Sequence, residues 1–594
     1  MRHWIIDLPK SPYVLAAAYF TGMTVLMTWP LVTQASQATV SQPGDNLYWI
    51  WQVGWVEKAL FSLHQSPFVT NLLNYPEGWW LASTEISPLM LLLALPFSLA
   101  ASPTLGYNVA ALISFALSGL LLFTWVFRLT GSRWGALIGG TIFAFFPFRF
   151  SHFLAGHLNM LATPALIAAF MCVDQALQQD RGGRRWATVG GVCLGLVGLS
   201  SMYYLYMSLV MIAFYLALDL TLGRRERLAA RTYVSRLLVL GAAALPILLL
   251  AILPYVAAAS RGLVPTRGIE FAASYSGSPS DYLLPFTGHP LWGRWVGDHF
   301  NRAGWIEASL YPGVVASGLA FIALLAPRRT APISRRRTLT FAVTSAVAFL
   351  FSLGVTLHWA GWPVALSLPE PLAWLNAEDG TSILMPGYLL YKVLPFYGSL
   401  RVPMRYAVFV ELFLSVLAGC GAAWLLARAK ARAAPLLGAA VLGFVLLDFL
   451  PPRWNLIPVA GRPVDVWLRQ QPADGAVAQF PFLMADEQGL IYATLVHEKP
   501  YIGALYGSFP TPQFRAVKPI LDLFPSAASL DLLRDLGVRY VVIDMAWYDD
   551  MDALDDLEIA LTEQGLVRAV ALDGQLVYLL DTHPDGTIYL SPAP

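Results

Sequence analysis

The sequence predicts a polytopic α-helical membrane protein that ends in a soluble α/β domain. Of its 594 residues, 57% are hydrophobic and only 13% are charged, and the mean hydropathy is +0.57. A soluble protein has about 25% charged residues. Apolar runs long enough to cross roughly 30 Å of hydrocarbon recur along residues 1–450 and predict a membrane domain there.

Charge is distributed unevenly between the two parts of the chain. Residues 451–594 contain 9 Lys/Arg and 19 Asp/Glu, a net charge of −10, which leaves +11 for residues 1–450. The basic residues lie mainly in short loops between apolar runs, as is typical of cytoplasmic loops. The basic excess therefore indicates topology and not nucleic-acid binding.

The first apolar run, residues 12–32, follows Arg2 and Lys10, which predicts a cytoplasmic N-terminus. A cleaved signal peptide is the alternative, but its apolar core is usually about 7–15 residues long. We therefore expect an uncleaved anchor.

Further spans follow along the membrane domain. Residues 187–221 are too long for one span and predict two short helices that turn near Ser200 and Ser201. The other spans are predicted at 106–127, 134–149, 157–178, 236–257, 308–326, 339–357, 404–427 and 435–450. The chain should thus cross a cell (inner) membrane about eleven times and end in an extracytoplasmic C-terminal domain.

Residues 33–86 form the first outer loop, which is predicted to contain interfacial helices. In the stretch SQPGDNLYWIWQVGWVEKALF, a Pro-Gly turn precedes Asp45, and a tryptophan-rich helix follows it. Trp49, Trp51 and Trp55 are typical of a membrane–water interface. The apolar run 88–100 is short for a span and contains Pro96, so it is interpreted as an outer interfacial helix.

From residue 451 the pattern changes to that of an α/β domain, residues 451–594. GAVAQFP, GVRYVVID and QLVYLLD predict strands, and PVDVWLRQQ, AASLDLLRDLG and DALDDLEIALTEQG predict helices. No nucleotide-binding or Ser-His-Asp motif occurs in this part. The acids between Asp549 and Asp556 lack the spacing of a calcium loop and are interpreted as a solvated helix start.

The cysteines give no sign of a disulfide framework or a metal site. Cys172, Cys193 and Cys420 all fall inside apolar runs. The outer acids are too scattered for a metal-ligand spacing. We therefore predict no cofactor and no metal ligands, although metal dependence stays open.

Asp45 has two interpretations. Aspartate is a favoured helix N-cap, which contributes about 1 kcal/mol, and a helix is predicted to start here. A carboxylate held at the bilayer surface is also a suitable base for a lipid-borne substrate. Its position alone does not decide between cap and catalyst.

The topology resembles the C-type glycosyltransferase superfamily (GT-C): a lone acid in a long first outer loop, interfacial helices in that loop, ten or more spans and an outer C-terminal domain. Within that superfamily, the chain is similar to bacterial enzymes of the protein mannosyltransferase and aminoarabinose transferase kind, and to YfhO-like proteins. The motifs concerned are GD before WIWQVGW, then NYPEG, FAFFPFRFSHFLAGH and RVPMRY.

This resemblance implies a membrane glycosyltransferase that moves a sugar from a polyprenyl-phosphate donor to an extracytoplasmic glycan, lipid or protein acceptor, with inversion. In that superfamily an acid of the first outer loop is the base, and Asp45 matches its position. Many relatives have further acids beside it, whereas here the neighbours are Gly44 and Asn46. This departure puts a metal-dependent variant in doubt.

Two groups of cations are predicted to bind the donor phosphate. Arg401 and Arg405 are four residues apart and could project from one helical face, and the arginine fork suits phosphate. The alternative is an interfacial anchor that snorkels to lipid headgroups. Arg149, His152 and His157 share another outer loop, and ordinary loop packing is their alternative.

Four acids are candidates for contact with the sugar or the acceptor. Glu77 and Glu85 share the first outer loop with Asp45, so either could be the base instead, and Glu85 could equally cap the interfacial helix. Asp281 and Glu307 lie in the long outer loop 258–307 and are predicted to bind hydroxyl groups.

Two other functions compete with the enzyme. A transporter or flippase for lipid-linked sugars would place ionisable groups near the membrane midplane, whereas the polar candidates gather on one face of the membrane. A non-catalytic membrane scaffold would use the α/β tail to bind a partner.

Overall fold

The computed structural model describes residues 11–40, 44–178, 182–222, 229–264, 268–300, 304–482, 487–507, 509–548 and 551–581. Arg2 and Lys10, which predict the topology, and Asp549 and Asp550, which belong to the acidic run, lie outside these ranges.

The described part of residues 1–450 is mainly helical. Its first helices are α1 (Pro12–Met27), α2 (Asp45–Glu57), α3 (Pro88–Ala100), α4 (Pro103–Thr130), α5 (Arg133–Phe145), α6 (Pro147–Leu154), α7 (Leu158–Leu161), α8 (Pro164–Gln178) and α9 (Gly183–Ser200). They are followed by α10 (Met202–Leu222), α11 (Ala230–Ala259), α12 (Ile269–Ser274), α13 (Gly293–His299), α14 (Val314–Leu325), α15 (Arg335–Ser352), α16 (Pro386–Val393), α17 (Ala407–Leu426) and α18 (Ala434–Asp448).

Several helical stretches can cross a membrane by length and composition. Among the described residues these are six: Pro103–Thr130, Arg133–Leu154, Leu158–Gln178, Met202–Leu222, Ala230–Ala259 and Pro403–Leu426. The shorter helices α1, α3, α14 and α18 are also apolar. The chain is thus a multi-pass membrane protein, and the number of eleven spans stays a prediction. The break between α9 and α10 falls at Ser201, where the sequence predicts a turn.

Glycines bring α5 and α17 into close contact. A Cβ atom at Gly135 would lie 2.5 Å from the carbonyl oxygen of Gly419, and a Cβ atom at Gly419 would lie 2.8 Å from that of Gly135. Small residues let membrane helices approach backbone to backbone. Since α5 leads directly into α6, this crossing holds the segment that carries His152.

Helix α2 is enclosed by protein. Trp49 packs in the core of the helical bundle, whereas Trp51 and Trp55 stack on each other in the core of the C-terminal region. These rings are therefore covered by protein, and the position of α2 at the membrane–water interface stays a prediction. A C-terminal helix covers α2, and Trp51 Nε1 donates a hydrogen bond of 2.9 Å to Thr494 Oγ1 of that helix.

The C-terminal region contains the predicted strands and helices, whereas its independence as a soluble domain stays a prediction. Its helices are α19 (Pro463–Arg469), α20 (Glu487–His497), α21 (Pro512–Leu521), α22 (Ala527–Asp535) and α23 (Met551–Glu563). Strands β7 (Ala476–Phe480), β8 (Val538–Asp544), β9 (Val567–Leu572) and β10 (Gln575–Leu579) form one sheet in the order β7-β8-β10-β9. In it β7 and β8 run parallel and the other pairs antiparallel.

The remaining strands are short. They are β1 (Ala38–Val40), β2 (Val69–Thr70), β3 (Trp79–Trp80), β4 (His358–Trp359), β5 (Trp362–Pro363) and β6 (Leu456–Pro458), paired as β1-β6, β2-β3 and β4-β5.

Outside α2, the C-terminal region is joined to the first loop by strand pairing and by hydrogen bonds. Strand β1 pairs with β6, with Thr39 opposite Ile457. Farther along the loop, Asn74 Oδ1 accepts hydrogen bonds from Tyr506 and Thr511 at 2.8 and 2.9 Å. The first loop therefore lies between the helical bundle and the C-terminal region, and the candidate residues of that loop can be contacted from both.

Candidate functional site

Asp45 begins α2, and its carboxylate is held from two sides. His157 Nε2 lies 3.0 Å from Oδ2, and Gln488 Nε2 donates to Oδ1 at 3.2 Å. The side chain is 40% exposed, which leaves the carboxylate accessible. At the start of this helix the N-cap is Gly44, and the side chain of Asn46 accepts hydrogen bonds from the backbone instead.

From Asp45 a chain of polar contacts leads into the protein. The Nδ1 atoms of His157 and His152 are 2.7 Å apart, and His152 Nε2 lies 3.5 Å from Oε2 of Glu307. Arg405 Nη2 donates to Oε1 of the same carboxylate at 2.6 Å. The structure therefore brings five of the predicted site residues into one cluster, which we call the Asp45–Arg405 chain: Asp45, His157, His152, Glu307 and Arg405.

The contacts of the two imidazoles determine how many protons they need. One proton fits between the two Nδ1 atoms, because one ring must donate and the other accept. A further N–H on His157 Nε2 would face Asp45, whereas His152 Nε2, 3.5 Å from Glu307, has no hydrogen-bond partner among the described residues. If His157 donates through both of its nitrogens, the pair carries one positive charge. With that charge, the two carboxylates are balanced by the histidine pair and Arg405, which suits a largely buried cluster.

A glycine turn sets His157 against Asp45. Gly156 has φ +80°, and a Cβ atom there would overlap the backbone of Asn46. Since only glycine adopts this conformation at no steric cost, the turn between α6 and α7 can lie directly on the start of α2. The sequence HFLAGHLN thereby places both histidines beside the first loop.

Gln488 comes from helix α20 of the C-terminal region. Trp51 and Thr494 hold α20 against α2, and Gly54 of α2 accommodates Leu495 of α20. This packing places the Gln488 amide on the Asp45 carboxylate. A C-terminal residue thus completes the surroundings of the first-loop acid.

Arg401 and Arg405 meet at Tyr203. Arg401 Nε donates to the Tyr203 hydroxyl at 3.0 Å, and the guanidinium carbon of Arg405 lies 4.5 Å from the ring centroid of Tyr203. The prediction of a shared helical face is wrong, because Pro403 starts a single 3₁₀ turn that ends at Tyr406. Arg405 is buried and paired with Glu307, whereas Arg401 has no carboxylate partner among the described residues.

Glu85 lies between the first loop and the bundle. Its carboxylate accepts hydrogen bonds from Asn159 Nδ2 at 2.5 Å and from the hydroxyl of Ser201. Burial raises the pKa of Glu85 above its usual value, although the charges of Arg405 and Arg401 oppose this effect. The side chain is therefore held by hydrogen bonds, in the same charged neighbourhood as the two arginines.

The other predicted site residues have separate surroundings. Arg149 is fully buried among the hydroxyls of Ser114, Ser118 and Thr163. Asp281 accepts a hydrogen bond from the backbone of Ser278 and closes a capping box. Glu77 lies against the C-terminal region. The roles predicted for these three in phosphate or sugar binding stay predictions.

The local electrostatics keep the two acids of the chain ionised. Burial raises the pKa of Asp45, but its hydrogen bond to His157 and the charge there outweigh this, so the pKa is lower than usual. Burial likewise raises the pKa of Glu307, but Arg405 and His152 hold it well below its usual range. An ionised and accessible Asp45 can accept a proton from a bound hydroxyl group.

A divalent cation is a second way to balance these acids. Ligand atoms of His152, His157 and Glu307 lie within 4.8 Å of one another. In the observed arrangement, however, both nitrogens of His157 already face partners, Asp45 and His152. An ion would have to displace one of these contacts, so the geometry favours a shared proton.

Three contributors were not predicted from the sequence: Tyr203, Asn159 and Gln488. Tyr203 and Asn159 lie in predicted spans, where a tyrosine or an asparagine is not distinctive. Gln488 is about 440 positions from Asp45 along the chain. Only its contact with Asp45 in the folded protein identifies Gln488 as part of the site.

The fold is similar to that of a solved glycosyltransferase, in agreement with the predicted resemblance. The arabinofuranosyltransferase AftD from Mycobacteria has a similar structure, with a TM-score of 0.57 and 16% identity, over 98% of this chain and 40% of AftD. This chain belongs to the family DUF6311, described as a domain of unknown function, whose model matches residues 18–377. That range includes Asp45, both histidines and Glu307.

Two more distant structures were also found. ArnT from Cupriavidus metallidurans, bound to undecaprenyl phosphate, has a TM-score of 0.48 and 13% identity, over 95% of this chain and 98% of ArnT. The oligosaccharyltransferase AglB from Archaeoglobus fulgidus has a TM-score of 0.47 and 14% identity, over 98% of this chain and 74% of AglB. No curated protein matches this chain in sequence.

Proposed function

We propose that this protein is a membrane glycosyltransferase that moves a sugar from a polyprenyl-phosphate donor to a hydroxyl group of a glycan, lipid or protein acceptor. The observation that carries the proposal is the accessible Asp45 carboxylate, bound by His157 and Gln488 and lying at one end of a charged chain that leads to Arg405. The fold shared with an arabinofuranosyltransferase supports the same class of reaction.

The reaction follows from these groups. The acceptor hydroxyl gives its proton to Asp45 while its oxygen forms a bond to the anomeric carbon of the donor. The bond between that carbon and the phosphate oxygen breaks, and its electron pair leaves with the polyprenyl phosphate. Attack from the face opposite the leaving group inverts the anomeric carbon.

The leaving phosphate needs positive charge close by. Arg401 is the better candidate of the two arginines, because Arg405 is already neutralised by Glu307. A guanidinium can donate two parallel hydrogen bonds to a phosphate. We propose that Arg401 binds the phosphate. Arg405 is held by Glu307 and positions Arg401 through Tyr203, which both arginines contact.

The histidine pair has a supporting role in this proposal. Its shared positive charge favours the ionised form of Asp45, the form that accepts a proton. His157 also fixes the direction of the carboxylate through its 3.0 Å contact. After transfer, the proton on Asp45 can leave through the exposed side of the carboxyl group.

The test compares wild type with Asp45→Asn in membranes from a host that lacks the gene, supplied with radiolabelled polyprenyl-phosphate sugars. Asparagine keeps the size and can still accept from Gln488, so it removes mainly the base. We expect the transfer rate to fall by about 10²–10⁴-fold. Asp298→Asn, at an exposed acid of another loop, is the matched control.

The other outcomes separate the alternatives. If Asp45→Asn transfers as well as wild type, the base is not Asp45, and Glu85 and Glu77 are the next acids to replace. If wild type transfers none of the donors but moves a lipid-linked sugar across vesicle membranes, the protein is a flippase. Loss of both activities together with a phenotype rescued by residues 451–594 alone indicates a scaffold.

A further inference from the structure

A second site lies away from Asp45, between the first loop and the C-terminal region. It is a cavity of about 280 Å³ with walls from three parts of the chain. The first loop contributes Glu77 and Trp80, the segment after α11 contributes Arg261, and the C-terminal region contributes Phe509 and Thr511. None of these residues belongs to the Asp45–Arg405 chain.

The walls of the cavity are held in place by hydrogen bonds across the junction. Asn74 accepts from Tyr506 and Thr511, and Gln513 Nε2 donates to the backbone carbonyl of Tyr75 at 2.8 Å. Gln513 Oε1 in turn accepts from the backbone N–H of Glu77 at 3.3 Å. The cavity is therefore built by the docked C-terminal region and does not exist in either part alone.

The hydrogen-bonding groups of Glu77 and Arg261 in the cavity are only partly paired with other described residues. Glu77 Oε2 accepts a long hydrogen bond of 3.3 Å from Asn74, and Oε1 has no partner among the described residues. The Arg261 guanidinium lies 4.4 Å from the ring centroid of Trp80 and donates to the carbonyl of Ala257. No ion pair joins Glu77 to Arg261 in the described structure, so acceptor and donor groups on different walls remain for a ligand.

The chemistry of these walls indicates the ligand. An unpaired carboxylate and a guanidinium can accept from and donate to neighbouring hydroxyls, while Trp79, Leu263 and Phe509 supply apolar surface for C–H groups. The carboxylate disfavours an anion such as phosphate. A neutral ring with several hydroxyl groups offers hydrogen-bonding groups to the polar wall and C–H groups to the apolar wall.

We propose that this cavity binds a sugar residue of the acceptor glycan. This inference rests on the proposed function, because the bound sugar belongs to an acceptor only if the protein transfers sugars. It adds to that function that the acceptor is an oligosaccharide. One sugar would be held between Glu77 and Arg261 while another presents its hydroxyl group to Asp45. The C-terminal region then selects the acceptor by forming one side of the cavity.

Direct binding can be measured without any transfer reaction. The probes are methyl mannoside, methyl galactoside and methyl arabinofuranoside, and the measurement is saturation-transfer NMR on the full chain in lipid nanodiscs. We expect transfer of saturation to at least one probe in wild type and in Asp45→Asn, and its loss in Glu77→Gln and Arg261→Met. Asp522→Asn, at an acid outside the cavity, is the control and should bind as wild type does.

A kinetic readout separates binding from a structural effect. In the transfer assay, Glu77→Gln should raise the KM for an oligosaccharide acceptor roughly tenfold, as expected for one lost charged hydrogen bond, with kcat and the donor KM unchanged. Glutamine is isosteric with glutamate, and size-exclusion chromatography shows whether the variant is folded.

The failures of the two proposals are distinguishable. Saturation transfer that is equal in wild type, Glu77→Gln and Arg261→Met, or absent in all of them, overturns the sugar site. If wild type transfers no sugar, but probe binding is present and is lost in both cavity variants, the cavity binds sugars and the proposed enzyme function is wrong.

Discussion

His157 Nε2 lies 3.0 Å from Oδ2 of Asp45, although four helices, α3 to α6, separate the two residues along the chain. This contact, together with Gly156 and the second histidine, converts an acid at a helix start into a carboxylate with a fixed direction and a lowered pKa. The following predictions test what this relationship does.

Replacing His157 should move the pH profile. In His157→Gln the amide can still donate to Asp45, but the positive charge of the histidine pair is lost, so the pKa of Asp45 rises. Because the ionised form is the base, the acidic limb of kcat/KM should shift to higher pH. A pH–rate profile measures this, with the exposed His299→Gln as control. An unchanged acidic limb would show that His157 does not act on the ionisation of Asp45.

Gln488 should act through Asp45. Gln488→Leu removes a hydrogen bond to the carboxylate, and we expect kcat to fall by roughly threefold to tenfold. Gln488→Glu places a like charge beside Asp45 and should raise its pKa further, which shifts the acidic limb upward. Gln470→Leu, at an exposed position, is the control. Equal kinetics in all three variants would contradict a positioning role for the C-terminal region.

Gly156 should be more sensitive than a comparable glycine. Gly156→Ala introduces a Cβ atom that overlaps the backbone of Asn46, whereas Gly131, also at positive φ (+68°), has open space around it. Gly131→Ala should therefore cost only about 1 kcal/mol of backbone strain, with normal transfer. Gly156→Ala should separate His157 from Asp45 and lower both transfer activity and thermal stability. Equal effects of the two variants would indicate strain alone.

The two arginines should differ in what their loss affects. Arg401→Gln should raise the KM for the donor by roughly tenfold, since it removes a charged contact to phosphate, and should leave the fold intact. Arg405→Gln should lower stability, because Glu307 would stay buried without its partner. The double variant Arg405→Gln, Glu307→Gln should recover part of that stability. Thermal unfolding in detergent measures the coupling, and additive losses would contradict it.

Chelation tests whether the histidine pair holds a proton or a metal ion. Because both nitrogens of His157 are already engaged, we expect transfer to continue after treatment with EDTA and removal of the chelator. Activity that is lost with EDTA and restored by Mn²⁺ or Mg²⁺ would assign the cluster of His152, His157 and Glu307 to a metal. Metal analysis of the purified protein provides a readout independent of activity.

Much of the fold could be predicted because it follows from local patterns. Long apolar runs predict membrane helices, and the break at Ser201 follows from a run that is too long for one span. In the C-terminal region, the strand at Val538–Asp544 and the helix at Ala527–Asp535 both follow from hydrophobic periodicity. These features depend on residues that are close together in the sequence, so they can be predicted from the sequence alone.

The features that could not be predicted concern residues whose surroundings come from distant parts of the chain. Trp51 and Trp55 have the composition of an interfacial belt, but α20 buries them. Arg149 lies in a segment that resembles an outer loop, yet its guanidinium is enclosed by three hydroxyl groups. Burial by a distant part of the chain cannot be recognised from the sequence around the buried residue.

The sequence by itself determined the class of fold, the helix that starts at Asp45, and the candidate residues of the site. Only the tertiary structure decided which of them meet: His157 with Asp45, Glu307 with Arg405, and Gln488 with the carboxylate from the far end of the chain. The physical reason is the distance along the chain over which each effect acts. Helix propensity and hydropathy act over a few residues, whereas a charged cluster forms only where packing removes water and brings its members within hydrogen-bond distance.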